Sequence, residues 1–320
     1  MIKLAFWKGK KILVTGGAGF LGSFVVEKLI SERKVAPEAI IVPRSKDVDL
    51  RIWANCVKAV EDIDIIIHAA GEGGGIGYNR KYPGTLFYNN IIMNTQLMEA
   101  ARQAEVEKFV GVGTVCSYPK FASVPFKESD LWTGYPEETN APYGLAKKMM
   151  LVQSQAYFQQ YAFRSIHLLM VNLYGPRDDF SPERSHVIAA LIKKVFDAKL
   201  AGRKNIEAWG TGNASREFLY VEDAAEGILL AAEKYNLCEP VNLGAGREIS
   251  IKDLVNLIVN LADYPGEIIW DYSKPDGQPR RCLDTFKAQN EFGFKAKTDF
   301  KEGLKRTIEW YIEYSKIEKK

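Results

Sequence analysis

The sequence has few cysteines and histidines, and it has no long apolar segment. Its four cysteines, at positions 56, 116, 238 and 282, contain no Cys-x-x-Cys pair and have no metal-ligand spacing to the three histidines. We therefore expect neither disulfide bonds nor a metal site. No uninterrupted apolar run reaches the roughly 18 residues that a membrane helix needs, and the N-terminal residues show no export signal. These absences predict a cytoplasmic protein that does not span a membrane.

The composition is that of an ordinary globular protein. Hydrophobic residues make up 47% and charged residues 26% of 320 residues, which is more chain than one typical domain contains. The net charge of +3 is spread along the sequence, and the aromatic residues do not interleave with the basic ones. Nucleic acid is therefore not an expected partner.

A glycine-rich turn stands between a strand and a helix near the start of the chain. The run 11–15 is β-branched and apolar, and residues with helical spacing follow the glycines. Glycines in this position permit a tight turn and let backbone amides approach a pyrophosphate at the positive end of the helix. The pattern predicts a dinucleotide site with these cofactor-binding residues: Gly16, Gly19, Phe20, Leu21 and Gly22.

Strands and helices then alternate along the chain. This alternation predicts an α/β fold, a Rossmann-type doubly wound parallel sheet that binds ligands at the carboxyl ends of its strands. Ala69, Ala70 and Thr114 lie at such ends, where small residues leave room for a cofactor. The further predicted strands are 40–42, 64–69, 108–112 and 165–171, and the predicted helices include 85–103 and 142–160.

The second half is expected to add a smaller α/β substrate domain. We predict a dinucleotide-binding domain at 1–172, to which 217–243 returns. The substrate domain is predicted to comprise 173–216 and 244–320.

The residues after the second strand bear on the choice of cofactor. Arg44 and Lys46 are placed to hold a 2′-phosphate, whereas Asp47 or Asp49 is the alternative partner for a ribose diol. Arg44, Asp49 and Leu50 are counted among the cofactor-binding residues. NADP(H) is favoured and NAD(H) is the alternative.

Thr114, Tyr143 and Lys147 have the residue types of a hydride-transfer site. With the glycine turn, they make the chain resemble the extended short-chain dehydrogenase/reductases that modify nucleotide sugars, over nearly its whole length. The resemblance implies that Tyr143 exchanges a proton with the sugar oxygen, which Thr114 also hydrogen-bonds. It implies that Lys147 binds the nicotinamide ribose and lowers the pKa of the phenol from about 10.

Cys116 indicates a second chemistry, because hydride transfer needs no thiol. A thiol, whose pKa is ordinarily about 8.5, can act as the base of a carbon acid if a cation or hydrogen bond lowers that value. His186 is the candidate partner acid, and it is also assigned to the cofactor site. The alternatives are that Cys116 is a small buried hydrophobic residue and that His186 only caps the helix that follows it.

Several motifs narrow the resemblance to the GDP-L-fucose synthases, which epimerise and reduce a GDP-4-keto-6-deoxyhexose. They lie at 73–77, 115–120, 172–176, 185–188, 209–212, 216–218 and 274–280. The resemblance implies that Cys116 and His186 act as base and acid in epimerisation. It also implies a substrate-binding set: Asn172, Lys194, Trp209, Arg216, Asp276 and Arg281.

Two positions depart from the pattern of these synthases. Thr114 stands where they commonly have serine, and Ala18 stands where many have an arginine that reaches the extra phosphate of the cofactor. The expected activity is an NADPH-dependent 3,5-epimerase and 4-reductase. The alternatives are an epimerase or reductase of another nucleotide sugar, such as a GDP-heptose or UDP-hexose, and a non-catalytic dinucleotide-binding scaffold.

A homodimer is expected from the two predicted helices 85–103 and 142–160. They carry apolar residues on more than one face, so a surplus face is available to pack against a second copy. The apolar residues concerned are Leu86, Ile91, Leu97, Met98, Met149, Met150, Leu151, Tyr157 and Phe158.

Overall fold

Residues between 12 and 170, together with a strand at 241–243, form a six-stranded parallel sheet with its strands in the order β2-β1-β3-β4-β5-β9. The structure is a computed structural model that describes residues 2–274 and 276–317. Connections leave β1 in both directions across the sheet, which is the arrangement of a doubly wound fold. The strands are β1 (Ile12–Thr15), β2 (Ile40–Ile41), β3 (Ile65–His68), β4 (Lys108–Thr114), β5 (Ser165–Met170) and β9 (Val241–Leu243).

Both faces of this sheet are buried, which explains its continuously apolar strands. Side chains alternate between the faces along each strand. In β3, Ile65 and Ile67 pack into one core, whereas Ile66 packs into the core on the opposite face. In β4, Val110 and Phe109 divide in the same way.

Helices cover the two faces. On one face, α2 (Phe20–Ser31) packs against α8 (Val221–Lys234). On the other face lie α3 (Trp53–Ala59), α5 (Pro83–Gln103) and α6 (Ala141–Tyr161). The Rossmann-type fold is therefore confirmed. Outside these layers lie the short helices α1 (Ile2–Trp7) and α4 (Ile76–Lys81) and the 3-10 turns Pro37–Ala39, Val115–Ser117 and Glu128–Trp132.

A second core forms around two small sheets. One has the order β10-β8-β6, and the other pairs β11 with β7 in parallel. Apolar faces of three helices pack on them, with residues such as Ile192, Ile258 and Leu304 fully buried or nearly so. The elements are β6 (Asn172–Tyr174), α7 (Val187–Leu200), β7 (Asn205–Trp209), β8 (Ser215–Tyr220), β10 (Glu248–Ser250), α9 (Ile251–Leu261), β11 (Glu267–Asp271) and α11 (Phe300–Ile317).

The packing of 283–294 differs from the predicted domain division. This stretch contains α10 (Phe286–Phe292), which lies against α8 and β9. Leu283, Phe292 and Phe294 pack into the core of the parallel sheet, because they bury the apolar side chains at its β9 edge. We propose that the first domain includes this stretch, and that the second domain comprises the rest of 173–216 and 244–320.

In the stretches 2–274 and 276–317, no helix combines the length and the apolar character needed to cross a membrane.

Candidate active site

The carboxyl ends of β1, β3 and β4 meet at one edge of the sheet. Gly16 follows β1 with a φ of +70°. A β-carbon at Gly16 would lie 2.8 Å from the backbone nitrogen of Ala70, in the segment after β3. Both the conformation and the space therefore require glycine, and the turn lies directly against Ala69 and Ala70.

The glycine turn leads straight into α2. A β-carbon at Gly22 would overlap the carbonyl oxygen of Gly16, so the helix packs against the turn without a side chain between them. The N-cap residue is Gly19, which offers no side chain to the amides of the first turn. Those amides are thus available to an anion such as a pyrophosphate. Phe20 and Leu21 pack against the first core and fix the start of the helix.

The segment after β2 carries exposed cations. Arg44 and Lys46 are both exposed, whereas Leu50 is buried beside Cys56 in the core. Asp49 accepts a hydrogen bond from Arg51 at 2.7 Å, and this hydrogen bond lowers the pKa of Asp49. Because its carboxylate is already paired with a cation, Asp49 is less suited to a ribose diol than the exposed cations are to a phosphate.

Thr114, Tyr143 and Lys147 come together as predicted. Thr114 is the last residue of β4, and its hydroxyl hydrogen-bonds Tyr143. Tyr143 and Lys147 are four residues apart on α6, so they lie on the same face of the helix. The Nζ of Lys147 donates to the carbonyl oxygen of Ala70 at 3.0 Å. The lysine therefore lies at the dinucleotide edge of the sheet.

Burial controls the protonation of this group. It raises the pKa of Tyr143, the nearby Cys116 raises it further, and the Thr114 hydrogen bond opposes the shift. Tyr143 is thus held in its neutral, proton-donating form at neutral pH. Burial also lowers the pKa of Lys147 to about 8, so its charge is present at neutral pH and is lost as the solution becomes moderately alkaline.

Cys116 lies in the 3-10 turn that follows β4. Its backbone nitrogen donates to the Thr114 hydroxyl at 3.2 Å. A β-carbon at Gly144 would overlap the carbonyl oxygen of Cys116, so α6 contacts the backbone of this turn directly. The thiol is only partly buried, and the guanidinium Nη1 of Arg281 lies 3.8 Å from its sulfur. Cys116 is therefore half-buried at the edge of the first core, with its sulfur against a cation.

His186 is the N-cap residue of α7, and its side chain is exposed. The surrounding protein displaces part of the water from the imidazole, which lowers the pKa of His186. The negative charge of Asp179 opposes this shift. The other two histidines, His68 and His167, are buried. An exposed imidazole that is mainly neutral at neutral pH is suited to exchange protons with a ligand.

A glycine loop connects the region of His186 with Tyr143. The backbone nitrogen of Gly75 donates to the carbonyl oxygen of Arg184 at 3.0 Å. At the other end, a β-carbon at Gly73 would lie 3.7 Å from the Tyr143 ring. The segment of His186 therefore lies on one side of this loop. On the other side lie Thr114, Tyr143 and Lys147, which are called the reductive group below.

Trp209, Arg216 and Asp276 lie close together in the second part of the molecule. The Asp276 carboxylate accepts two hydrogen bonds from Thr211, both at 2.7 Å, and they lower its pKa. The Nη2 of Arg216 donates to the backbone oxygen of Asp276 at 3.3 Å. Trp209 is 62% exposed at the end of β7, which leaves its ring open to a planar ligand.

Two other predicted substrate residues make local contacts. The Nζ of Lys194 donates to the carbonyl oxygen of Glu207 at 2.8 Å, close to Trp209 in the chain. Asn172, at the start of β6, donates to the carbonyl oxygen of Glu217 at 3.2 Å. Lys194 therefore belongs to the Trp209 region, whereas Asn172 lies at the pairing of β6 with β8.

Sequence reasoning missed two residues around Arg281. The side-chain oxygen of Gln278 accepts hydrogen bonds from Nε and Nη2 of Arg281, at 3.2 and 3.0 Å. The fully buried carboxylate of Glu217 accepts hydrogen bonds from the backbone nitrogens of Ala245, Gly246 and Leu283, at 2.5, 2.7 and 2.6 Å. The available signal was an acidic residue, Glu217, directly before the apolar run Phe218–Tyr220 of strand β8.

Comparisons with known proteins agree with this geometry. A model of the NAD dependent epimerase/dehydratase family matches residues 12–244. A probable GDP-L-fucose synthase 1 from Oryza sativa subsp. japonica is 37% identical over 96% of this chain and 93% of its own length.

Two solved structures are also similar. A GDP-L-fucose synthetase from Naegleria fowleri, solved with NADP bound, is 28% identical with a TM-score of 0.86, and the match covers 97% of this chain and 94% of that one. A GDP-6-OMe-4-keto-L-xylo-heptose reductase from C. jejuni is 25% identical with a TM-score of 0.89, and the match covers 95% of this chain and 98% of that one.

A Rossmann-type sheet with a threonine, tyrosine and lysine at the carboxyl ends of its strands defines an NAD(P)-dependent enzyme of the short-chain dehydrogenase/reductase type. Within that class, the chain belongs to the NAD dependent epimerase/dehydratase family.

Proposed function

We propose that this enzyme is a 3,5-epimerase and 4-reductase of a GDP-4-keto-6-deoxyhexose, giving a GDP-L-fucose-type product. The observation that carries the proposal is the position of Cys116, whose backbone is hydrogen-bonded to Thr114 and whose thiol lies near Tyr143 and against a guanidinium. A simple reductase needs the threonine, tyrosine and lysine only. Relatives named as GDP-L-fucose synthases, which match almost the whole chain, support the same activity.

The residues at the dinucleotide edge fit a nicotinamide cofactor. Because Gly16 and Gly22 have no side chains, the backbone of the turn contacts Ala70 and the start of α2 directly. The exposed backbone there can hold a pyrophosphate. Lys147 lies next to that backbone. A nicotinamide cofactor held there would supply hydride to a carbonyl carbon, and Tyr143 would donate the proton to its oxygen. Arg44 and Lys46 support NADPH rather than NADH.

Epimerisation uses the acidity that a C4 ketone gives to the hydrogens on C3 and C5. Cys116 removes such a hydrogen as a proton, and the electrons of the carbon–hydrogen bond move into an enolate. Thr114 and Tyr143 donate hydrogen bonds to the enolate oxygen, which stabilises its charge. His186 returns a proton on the opposite face, so the configuration at the carbon is inverted.

The substrate-binding residues favour a nucleotide diphosphate sugar. Arg216 and Arg281 are cations for the diphosphate, and Lys194 adds a third near Trp209. The exposed Trp209 ring is suited to stack on a base. Asp276, with its carboxylate already bound to Thr211, fixes the turn that presents Trp209.

A reductase of a GDP-linked heptose is the second candidate. The similarity to a GDP-6-OMe-4-keto-L-xylo-heptose reductase, with a TM-score of 0.89, is the observation that favours it. Such an enzyme would use Tyr143 and Lys147 in the same way. It would not require exchange of hydrogens at C3 and C5.

We further propose a homodimer formed through α5 and α6, although most of the residues first chosen for it are unsuitable. Leu86, Leu97, Met98, Met150 and Leu151 are buried in the core of a single copy. The exposed apolar residues of these helices are Phe87, Tyr88, Val152, Phe158 and Tyr161, and they are available to a second copy. A monomeric mass by light scattering at micromolar concentration would contradict this arrangement.

The activity is tested by supplying the purified protein with NADPH and either a GDP-linked or a UDP-linked 4-keto-6-deoxyhexose in deuterium oxide. We expect NADPH oxidation with the GDP sugar, and deuterium at C3 and C5 of the product by NMR. Reduction of the 4-keto sugar without deuterium at either carbon would instead support the heptose-type reductase.

A further inference from the structure

Cys116 and Arg281 meet although 165 positions separate them in the chain. The Nη1 of Arg281 lies 3.8 Å from the Cys116 sulfur, and Arg281 is itself only 9% exposed. We propose that Arg281 stabilises the thiolate of Cys116 and thereby supplies the base for epimerisation, in addition to any contact with the substrate. The catalytic part of this inference depends on the proposed function, whereas the thiolate can be measured without a substrate.

The positive charge of Arg281 is not neutralised by a carboxylate. Its Nε and Nη2 donate to the neutral side chain of Gln278, which leaves Nη1 directed at the sulfur. In the part of the chain that the structure describes, no ion pair involves Arg281. Its neighbour Arg280 is different, because it donates to Glu248 at 2.5 Å. Adjacent arginines thus have different partners: a carboxylate balances the charge of Arg280, whereas the Nη1 of Arg281 faces the thiol.

The guanidinium is held in place by hydrogen bonds on both sides. Gln278, which accepts from it, donates in turn to the carbonyl oxygen of Lys120 at 2.8 Å, only a few residues after Cys116. The backbone nitrogen of Glu217 donates to the carbonyl oxygen of Arg281 at 3.0 Å. Two residues further on, the Glu217 carboxylate accepts from the nitrogen of Leu283. A buried acid therefore fixes the segment that carries Arg281.

The groups around Cys116 are neutral hydroxyls and one cation. The Thr114 hydroxyl accepts from the backbone nitrogen of Cys116, the neutral phenol of Tyr143 lies near the thiol, and Arg281 faces the sulfur as a cation. Arg216 lies next to Arg281: its pKa is lowered to about 10 by burial and by the charge of Arg281. Arg216 also interacts with the acidic groups of Asp276, Glu248 and Glu137, so the cation that acts directly on the thiol is Arg281, and a cation beside a thiol favours its negative form.

In this arrangement the state of the epimerisation base, Cys116, influences the proton donor of the reduction, Tyr143. Negative charge on Cys116 raises the pKa of Tyr143 and so keeps the phenol protonated until reduction. In the epimerisation step the thiolate takes a proton from carbon and becomes a thiol, while His186 gives a proton to the other face. Exchange with solvent then returns a proton to His186 and removes one from Cys116. Arg281 stays charged throughout.

The test is the pH dependence of Cys116 alkylation in the full-length enzyme. Iodoacetamide reacts with the thiolate, and peptide mass spectrometry separates Cys116 from the other three cysteines. The variants are Arg281→Met and Arg281→Gln, which remove the charge, and Arg281→Lys, which keeps it. The matched control is Arg280→Met, which removes the adjacent arginine.

We expect Arg281→Met and Arg281→Gln to move the titration midpoint of Cys116 upward by about one pH unit, which slows alkylation at neutral pH about ten-fold. Arg281→Lys should shift it less, and Arg280→Met should leave it unchanged. If one of the variants Arg281→Met and Arg281→Gln does not fold, the midpoint measured in the other is sufficient for the test. A midpoint in a folded neutral variant equal to that of the wild type would overturn the proposal.

A second readout separates this inference from the proposed function. In the neutral variants, deuterium exchange at C3 and C5 should fall more than the reduction of the ketone. If the midpoint shifts but the wild-type enzyme exchanges no deuterium, the thiolate is stabilised as inferred and the proposed epimerisation is wrong. If exchange depends on Cys116 but the midpoint does not depend on Arg281, only the inference fails.

Discussion

The reductive group and the thiol side of the site are built in different ways. Thr114, Tyr143 and Lys147 lie on β4 and α6, two neighbouring elements of the parallel sheet and its helical layer. Cys116 lies in the turn directly after β4, but the cation at its sulfur is Arg281, which lies 165 residues further along the chain. Neighbouring rigid elements give the reductive group its geometry directly, whereas the thiol depends on the docking of a distant segment. Changes on one side should therefore affect mainly one of the two chemistries.

The largest expected effect is on the reductive side. Tyr143→Phe removes the proton donor, so the rate of ketone reduction should fall by about 10²- to 10⁴-fold. Deuterium exchange at C3 and C5 should fall less, because Thr114 still stabilises the enolate and the thiol remains. NADPH oxidation and NMR measure the two rates on the same sample.

Tyr157→Phe is the matched control, since Tyr157 lies on the same helix but donates to Glu99 on α5. It should leave both rates close to those of the wild type. Equal losses of exchange and reduction in Tyr143→Phe would show that the two sides cannot be separated.

The distant segment should be sensitive to Glu217. Glu217→Gln replaces a carboxylate that accepts three backbone N–H groups with an amide whose NH₂ cannot accept, so we expect a loss of about 1 to 3 kcal/mol in the free energy of unfolding. Exchange should then fall more than reduction. Glu248→Gln is the control, because the Glu248–Arg280 pair lies closer to the surface and should contribute less than about 1 kcal/mol. Urea unfolding that gives the same loss for both variants would contradict the positioning role of Glu217.

Lys147 should limit reduction at alkaline pH. Burial lowers its pKa to about 8, so the ammonium is present below that pH and is lost above it. Its charge favours the phenolate that remains after Tyr143 has given up its proton. The rate of reduction should therefore fall about ten-fold per pH unit on the alkaline side, and Lys147→Arg should shift that decline upward. A profile that stays flat from pH 7 to 10 would contradict this account.

The smallest expected effect is at the edge of the cofactor site. Arg44→Ala should weaken NADPH binding by about 1 kcal/mol, because the side chain is exposed and an exposed charge contact contributes little more. NADH binding should not change. Lys58→Ala, an exposed lysine on α3, serves as the control in fluorescence titrations. Equal weakening of NADPH and NADH would remove Arg44 from the 2′-phosphate site.

Local patterns predicted much of this molecule correctly. The helices 85–103 and 142–160 and five of the six strands of the parallel sheet were predicted within a few residues, because these strands are apolar runs and the helices have clear periodicity. The sixth strand, β9, was not predicted. The position of Thr114 followed from the rule that ligands lie at the carboxyl ends of strands, whereas Tyr143 and Lys147 were assigned from their residue types and from the family resemblance. These features need only neighbouring residues and the alternation of elements.

Other features could not be derived from local patterns. The resemblance assigned Arg281 to the substrate, but its contact with Cys116 depends on where residues 276–284 dock. The same docking places Leu283 and Phe292 in the first core, although they follow a long stretch of the second. The apolar residues Leu97 and Met150 pointed to a dimer surface, yet they are used inside one copy. Burial by distant elements decides such cases, and the sequence gives no local sign of it.

The central claim is that one site contains two separable chemistries, and Cys116→Ser tests it most directly. The hydroxyl preserves the shape of the residue and all the reductive groups but is too weak an acid to give a base at neutral pH. In deuterium oxide with the GDP-linked 4-keto sugar, we predict that deuterium no longer enters C3 and C5, while NADPH-dependent reduction of the ketone continues. Deuterium exchange at the wild-type rate in Cys116→Ser would reduce Cys116 to a packing residue and the enzyme to a simple reductase or 4-epimerase.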